Sequence, residues 1–205
     1  NTGQGKIKVN ITPEWIEKLK LFREDYFPEL VVEKRGSHMV NGVAASYYGV
    51  SSVGEAIHRS KYEQGGDFPD FLVSLAVKAF YRKFSEESFD WVLYVPPTKS
   101  GDLVKNFATK VAQIIGVPIC HHLKKIRVTE EQKVFENGYS KTANVHDAFA
   151  YTYPEEIEGK QILLIDDVFD SGATIKEIGK LLTSLGAVKI APLVIAKTVN
   201  GDLRD

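Results

Sequence analysis

Three carboxylates crowd one short stretch of this chain. In ILLIDDVFDSGATI, residues 162–175, Asp166, Asp167 and Asp170 stand between an apolar run and a segment with helical spacing. One Asp at a strand end can cap the helix that follows, but a cap needs only one. The turn itself, Asp170-Ser171-Gly172-Ala173-Thr174, is built of small residues, and Ser171 and Thr174 carry hydroxyls. Backbone N–H groups at such a turn, with a helix dipole behind them, form a cradle for phosphate. Gly172 lets the backbone close on the anion, and the two hydroxyls can donate further hydrogen bonds. Carboxylates beside a phosphate would repel it unless they hold sugar hydroxyls, directly or through Mg²⁺. A phosphate and a diol on one ligand describe a ribose 5-phosphate.

A second loop has a related shape. PPTKSG, residues 96–101, follows the apolar run WVLYV (91–95) and leads into a helical pattern at 101–116. It is either a ligand loop with Lys99 facing an anion or an ordinary connection with a solvated lysine. The elements that must position both loops are legible from apolar spacing. Residues 70–84 place Phe71, Leu72, Leu75, Ala76, Ala79 and Phe80 on one helical face. Residues 101–116 do the same with Leu103, Val104, Phe107, Val111, Ile114 and Ile115, and Gly116 closes the helix. VPICHHL (117–123), QILLI (161–165) and VKIAPLVIA (188–196) read as strands, and TIKEIGKLLTSLGA (174–187) as a helix. This alternation predicts an α/β fold of right-handed βαβ units: a parallel sheet with helices on both faces. Ligands of such sheets sit beyond the C-terminal ends of the strands. The loops after Val95 and Ile165 fall there, with Asp166 and Asp167 expected to leave the sheet at that edge.

Composition narrows the class. The chain has 205 residues, 43% hydrophobic and 26% charged, which suits one α/β domain and a short appendage. A net charge of −1 exerts no general pull on nucleic acid, and the run Lys124-Lys125-Ile126-Arg127 reads as a solvated face. Cys120 is alone, so neither an internal disulfide nor a four-cysteine zinc site exists, and a cytoplasmic location is expected. No membrane span or signal segment is evident. His121 and His122 are neighbours in an expected strand and would point to opposite faces, which argues against a shared metal. Residues 1–39 read as a helix at 11–27 followed by a strand or linker, the end of a preceding domain, with the main domain at 40–200 and a tail at 201–205. The start at Asn1 suits a fragment. RGSHM (35–39) is similar to a cloning remnant, although readable sequence continues on both sides.

LLIDDVFDSGAT resembles the phosphoribosyl pyrophosphate (PRPP) signature of type I phosphoribosyltransferases, and the resemblance implies that family's fold. It assigns Asp166 and Asp167 to the ribose 2- and 3-hydroxyls, with Mg²⁺ as cofactor at the same two acids. It assigns the 5-phosphate to the loop Val168, Phe169, Asp170, Ser171, Gly172, Ala173 and Thr174. PPTKSG resembles the family's pyrophosphate loop, implying roles for Pro97, Thr98, Lys99 and Ser100. The polar segment 123–149 has the length of a functional lid. It resembles the ComF-like branch through Leu123, Arg127, Thr129, Gln132, Asn144-Val145 and Ala148-Phe149. Together with SKYEQGGDF (60–68), it is closer still to the phosphoribosyltransferase domain at the C-terminus of some bacterial RecQ-type helicases. That likeness implies DNA as a partner through a linked helicase, and a dimer is compatible with it. The chain departs from ComF proteins in lacking their cysteine-rich zinc module, and it has no helicase P-loop.

Asp170 leaves two readings open. In the 6-oxopurine branch of the family an Asp at this place is the base that handles a purine proton, which makes Asp170 the candidate catalytic residue. Otherwise it only caps the loop. Two functions follow: a transferase acting on PRPP, or a module that binds PRPP or a nucleotide 5-monophosphate without turnover.

Overall fold

Parallel strands covered on both faces must be apolar throughout, and two such strands form the middle of the sheet. They are β6 (Gln161–Phe169) and β7 (Lys189–Thr198). The computed structural model describes residues 26–48, 52–63, 67–97, 101–127 and 145–198. In chain order the other elements are β1 (Glu29–Leu30), β2 (Gly42–Tyr48), α1 (Ser52–His58) with a π-helical continuation Arg59–Glu63, and α2 (Asp70–Phe84). After them come β3 (Trp91–Tyr94), α3 (Leu103–Ile115), β4 (Leu123–Lys125) and β5 (Phe149–Tyr151). A 3-10 turn at Pro154–Glu156 precedes β6, and α4 (Ala173–Ser184) joins β6 to β7.

The sheet order is β1-β2-β7-β6-β3, parallel except for the short edge strand β1, which runs antiparallel to β2. Along β6, Ile162 and Leu164 pack on one side of the sheet with α4 residues Ile175, Ile178 and Leu182. Leu163 and Ile165 pack on the other with α1, α2 and α3. Helices therefore cover both faces, and β4 and β5 form a separate two-stranded sheet. The α/β expectation holds.

Details differ from the sequence reading. Phe71 is 49% exposed and Ile114 is 56% exposed, while Val73, Ala108 and Ala112 are buried instead. Each helix offers apolar residues next to the expected stripe, and small side chains let the helix lie closer to the sheet. Gly116 does close α3, with a φ of 73°. The expected strand at 117–123 is reduced to a single bridge between Ile119 and Val92, after which the chain turns away to pair as β4 with β5. The segment 28–39 alternates, with residues 33–36 exposed and three apolar side chains packed inward. Leu30, Val32 and Met39 are buried, and Met39 bridges Ile190 of β7. The helix expected at 11–27 lies almost wholly outside the described residues. Among those described, no helix is long and apolar enough to cross a membrane.

Gly42 opens β2 beside Pro192, and a β-carbon there would lie 2.1 Å from the Pro192 carbonyl oxygen. Backbone cannot yield as a side chain can. Gly42→Ala is expected to cost about 2–3 kcal/mol, the upper range for overpacking, read as a lower urea midpoint at unchanged slope.

Candidate functional site

Strand β6 does not stop at Ile165. It keeps its pairing with β7 through Asp166↔Val194, Val168↔Ala196 and Phe169↔Lys197. The acids expected to leave the sheet are thus still strand residues, and their side chains alternate across it. Asp167 is buried at 7% exposure rather than lining an open pocket. Val168 and Phe169 are apolar β-formers, and β7 continues beside them, so the strand runs on beyond the acids.

Burying a carboxylate needs a partner. Asp167 Oδ2 meets Lys61 Nζ at 2.7 Å, with the lysine side chain 19% exposed. Asp166 Oδ1 accepts the backbone N–H of Asp167 at 2.9 Å. Lys61 sits in the π-helical segment Arg59–Glu63. Sequence reasoning quoted this lysine within SKYEQGGDF (60–68) but gave it no role in the site, because the contact joins segments far apart in the chain.

The turn after β6 has the predicted form. Gly172 adopts φ +71°, and a β-carbon on it would lie 2.5 Å from the Phe169 ring, so both conformation and space require glycine. Ser171 Oγ accepts the N–H of Ala173 at 3.3 Å, and α4 starts there. Asp170 Oδ1 accepts a hydrogen bond from Thr198 Oγ1 at 2.9 Å, which ties the turn to the end of β7. The first-turn N–H groups of α4 lack carbonyl partners four residues back, so this end suits an anion. Thr174 is the second residue of α4 and is part-buried.

β3 pairs with β6 in parallel, with Tyr94 opposite Ile165, and the Val95 N–H bonds the Ile165 carbonyl at 2.9 Å. Pro96 and Pro97 therefore leave the sheet beside Asp166. Thr98, Lys99 and Ser100 lie outside the described residues, as does most of the expected lid, 128–144. His121 and His122 diverge as expected: one reaches Tyr94 Oη at 3.2 Å and the other Glu156 at 2.9 Å.

A family model described as phosphoribosyl transferase domain matches residues 69–202, more than half of the chain. The chain belongs to this family. A purine phosphoribosyltransferase from Pyrococcus horikoshii is 20% identical, with 64% of this chain and 77% of that chain covered at a TM-score of 0.42. An adenine phosphoribosyltransferase from Thermoanaerobacter pseudethanolicus is 16% identical, with 89% and 99% covered at 0.40. A 48-residue stretch is 40% identical to transcriptional regulator GfcR of Methanococcoides burtonii and spans 23% of this chain and 24% of that protein.

Mg²⁺ at the acidic pair of this phosphoribosyl transferase domain meets a geometric objection. The two carboxylates alternate across the strand, and Asp167 Oδ2 is engaged by Lys61. Among the described residues, the groups of three or more converging metal-ligating side chains are Cys120–His122–Glu156 and His146–Asp147–Glu177, neither of which includes these acids. The pair does not form a ready chelate.

Asp166 is part-buried, and burial, then the Asp167 charge, raises its pKa to about 8. Burial also works against the Lys61 ammonium, but the charge and hydrogen bond of Asp167, with Asp166 behind it, outweigh this and leave its pKa raised. The raised Asp166 value means the folded protein holds a proton that the unfolded chain releases near pH 4. The associated stability is present below that pH and is lost as pH rises through about 8. Asp166→Asn keeps the acceptor for the Asp167 N–H but cannot ionise. Its melting temperature is expected to exceed that of the parent by a margin that widens from acid to pH 8 and then levels off, measured by thermal scans across pH.

Proposed function

We propose that this domain binds PRPP or a nucleoside 5′-monophosphate beyond the C-terminal end of β6. The observation that carries the reading is the turn: Gly172, at φ +71° over the Phe169 ring, brings backbone to the start of α4 directly after an acidic pair. Phosphate is held by the Ser171–Thr174 turn and the helix terminus. The ribose hydroxyls meet Asp166 and Asp167. The segment Pro97–Ser100 takes the pyrophosphate of PRPP, with Lys99 as its cation. Where the ligand carries a diphosphate, its own oxygens are the natural ligands for Mg²⁺. If turnover occurs, the residues act by positioning the ribose and stabilising charge.

A second reading is that the domain binds without turnover. The bond from Thr198 to Asp170 favours it, because it gives that carboxylate an anchoring task in the turn. Within the family, the motifs at 123–149 and 60–68 support a ComF-like origin near the helicase-linked domains. DNA contact would then come through a linked helicase.

Calorimetry with AMP, GMP and PRPP tests the ligand. The double variant Asp166→Asn, Asp167→Asn is expected to weaken binding roughly tenfold to a hundredfold, the value of hydrogen bonds to charged groups, and unchanged affinity would remove the ribose assignment. Asp170→Asn separates the two readings. Pyrophosphate release with hypoxanthine or guanine that falls by about 10²–10⁴ in this variant makes Asp170 a general base. No release by the parent protein, with binding intact, supports the binding module.

A further inference from the structure

We propose that Lys61 is a positioning residue of the acidic pair, standing as its built-in cation, so that the ribose 5-phosphate half of a ligand binds without Mg²⁺. This rests on the ligand reading above and deepens it. The first ground is the contact: Lys61 Nζ lies 2.7 Å from Asp167 Oδ2, with side chains only 19% and 10% exposed. A buried ion pair is a poor source of stability compared with apolar packing of the same volume. Its merit here is orientation, because the ammonium fixes which way the Asp167 carboxylate faces.

The second ground is the backbone that carries the lysine. Residues Arg59–Glu63 form a π-helical segment, a widened turn that occurs often at functional sites. Ser60 beside it is buried, and its hydroxyl reaches the Asp67 carbonyl at 3.5 Å, which ties the segment to the start of α2. The third ground is the donor set. Mg²⁺ demands near-octahedral oxygen ligands. Here the carboxylates alternate across β6, one oxygen is taken by Lys61, and another accepts the Asp167 N–H. The positive charge of Lys61 also offsets one carboxylate, which lowers the repulsion a phosphate dianion would meet at the Ser171–Thr174 turn.

The test is calorimetric titration of the whole chain with AMP and GMP, which carry the diol and the 5-phosphate but no diphosphate. Each is measured in EDTA and in Mg²⁺ for the parent protein, Lys61→Met and Lys61→Arg. The parent is expected to bind equally well in both buffers, within about twofold. Lys61→Met is expected to lose roughly tenfold or more in EDTA, the scale of a charged hydrogen bond. Part of that loss should return with Mg²⁺, as a hydrated cation is drawn to the uncompensated Asp167. Lys61→Arg should keep most of the affinity. Parent affinity that rises tenfold with Mg²⁺ overturns the inference and needs no variant. So does a Lys61→Met protein that binds like the parent, or one whose loss is the same in both buffers, the mark of a structural role. A parent protein that binds neither nucleotide in either buffer overturns the ligand reading itself, and this inference falls with it.

Discussion

Strand β6 lies between β7 and β3, with helices covering both faces, so its backbone is paired on each side and its register is held by side chains on each face. A strand so constrained cannot slip by one residue without sending every side chain to the wrong face. The pairing continues to Phe169, and it carries Asp166 and Asp167 in at fixed positions. The acids thus sit in fixed register against β7, one step beyond the end of the pairing with β3. The acids inherit their orientation from the apolar residues before them, and the turn inherits its position from where the strand ends.

That placement creates an electrostatic problem, which Lys61 addresses. A carboxylate at the end of a doubly covered strand loses water, and water is what ordinarily stabilises its charge. Asp167 recovers this through the ammonium at 2.7 Å, while Asp166 recovers only a backbone hydrogen bond and has its pKa pushed up. The neighbours therefore differ in kind despite identical chemistry. One is oriented by an ammonium, while burial and the charge of its neighbour raise the pKa of the other.

The turn after β6 shows the same economy of parts. Phe169, the last residue of β6, lies under Gly172, the residue before α4. Strand end and helix start are thereby locked together. Thr198, at the end of β7, holds Asp170 from the side. Two neighbouring strands thus fix a turn whose residues are too small to fix themselves.

The sequence by itself determined the class of fold and the small-residue turn after β6. Apolar runs and helical spacing are local quantities, and Gly172 with its small neighbours announces a turn and a helix start; the positive φ came with the structure. It also marked the acids, because three carboxylates in so short a stretch exceed what a cap requires. Only the tertiary structure decided where those acids face. Val168 and Phe169 prolong the strand because β7 continues beside them, and pairing of that kind is not written in β6 alone. The exposed Phe71 and Ile114 have a similar origin: helical spacing offers several stripes, and the sheet selects the one that packs closest. Lys61 is the clearest case. An ion pair between distant segments has no period and no local signature, so folding alone could bring it to Asp167.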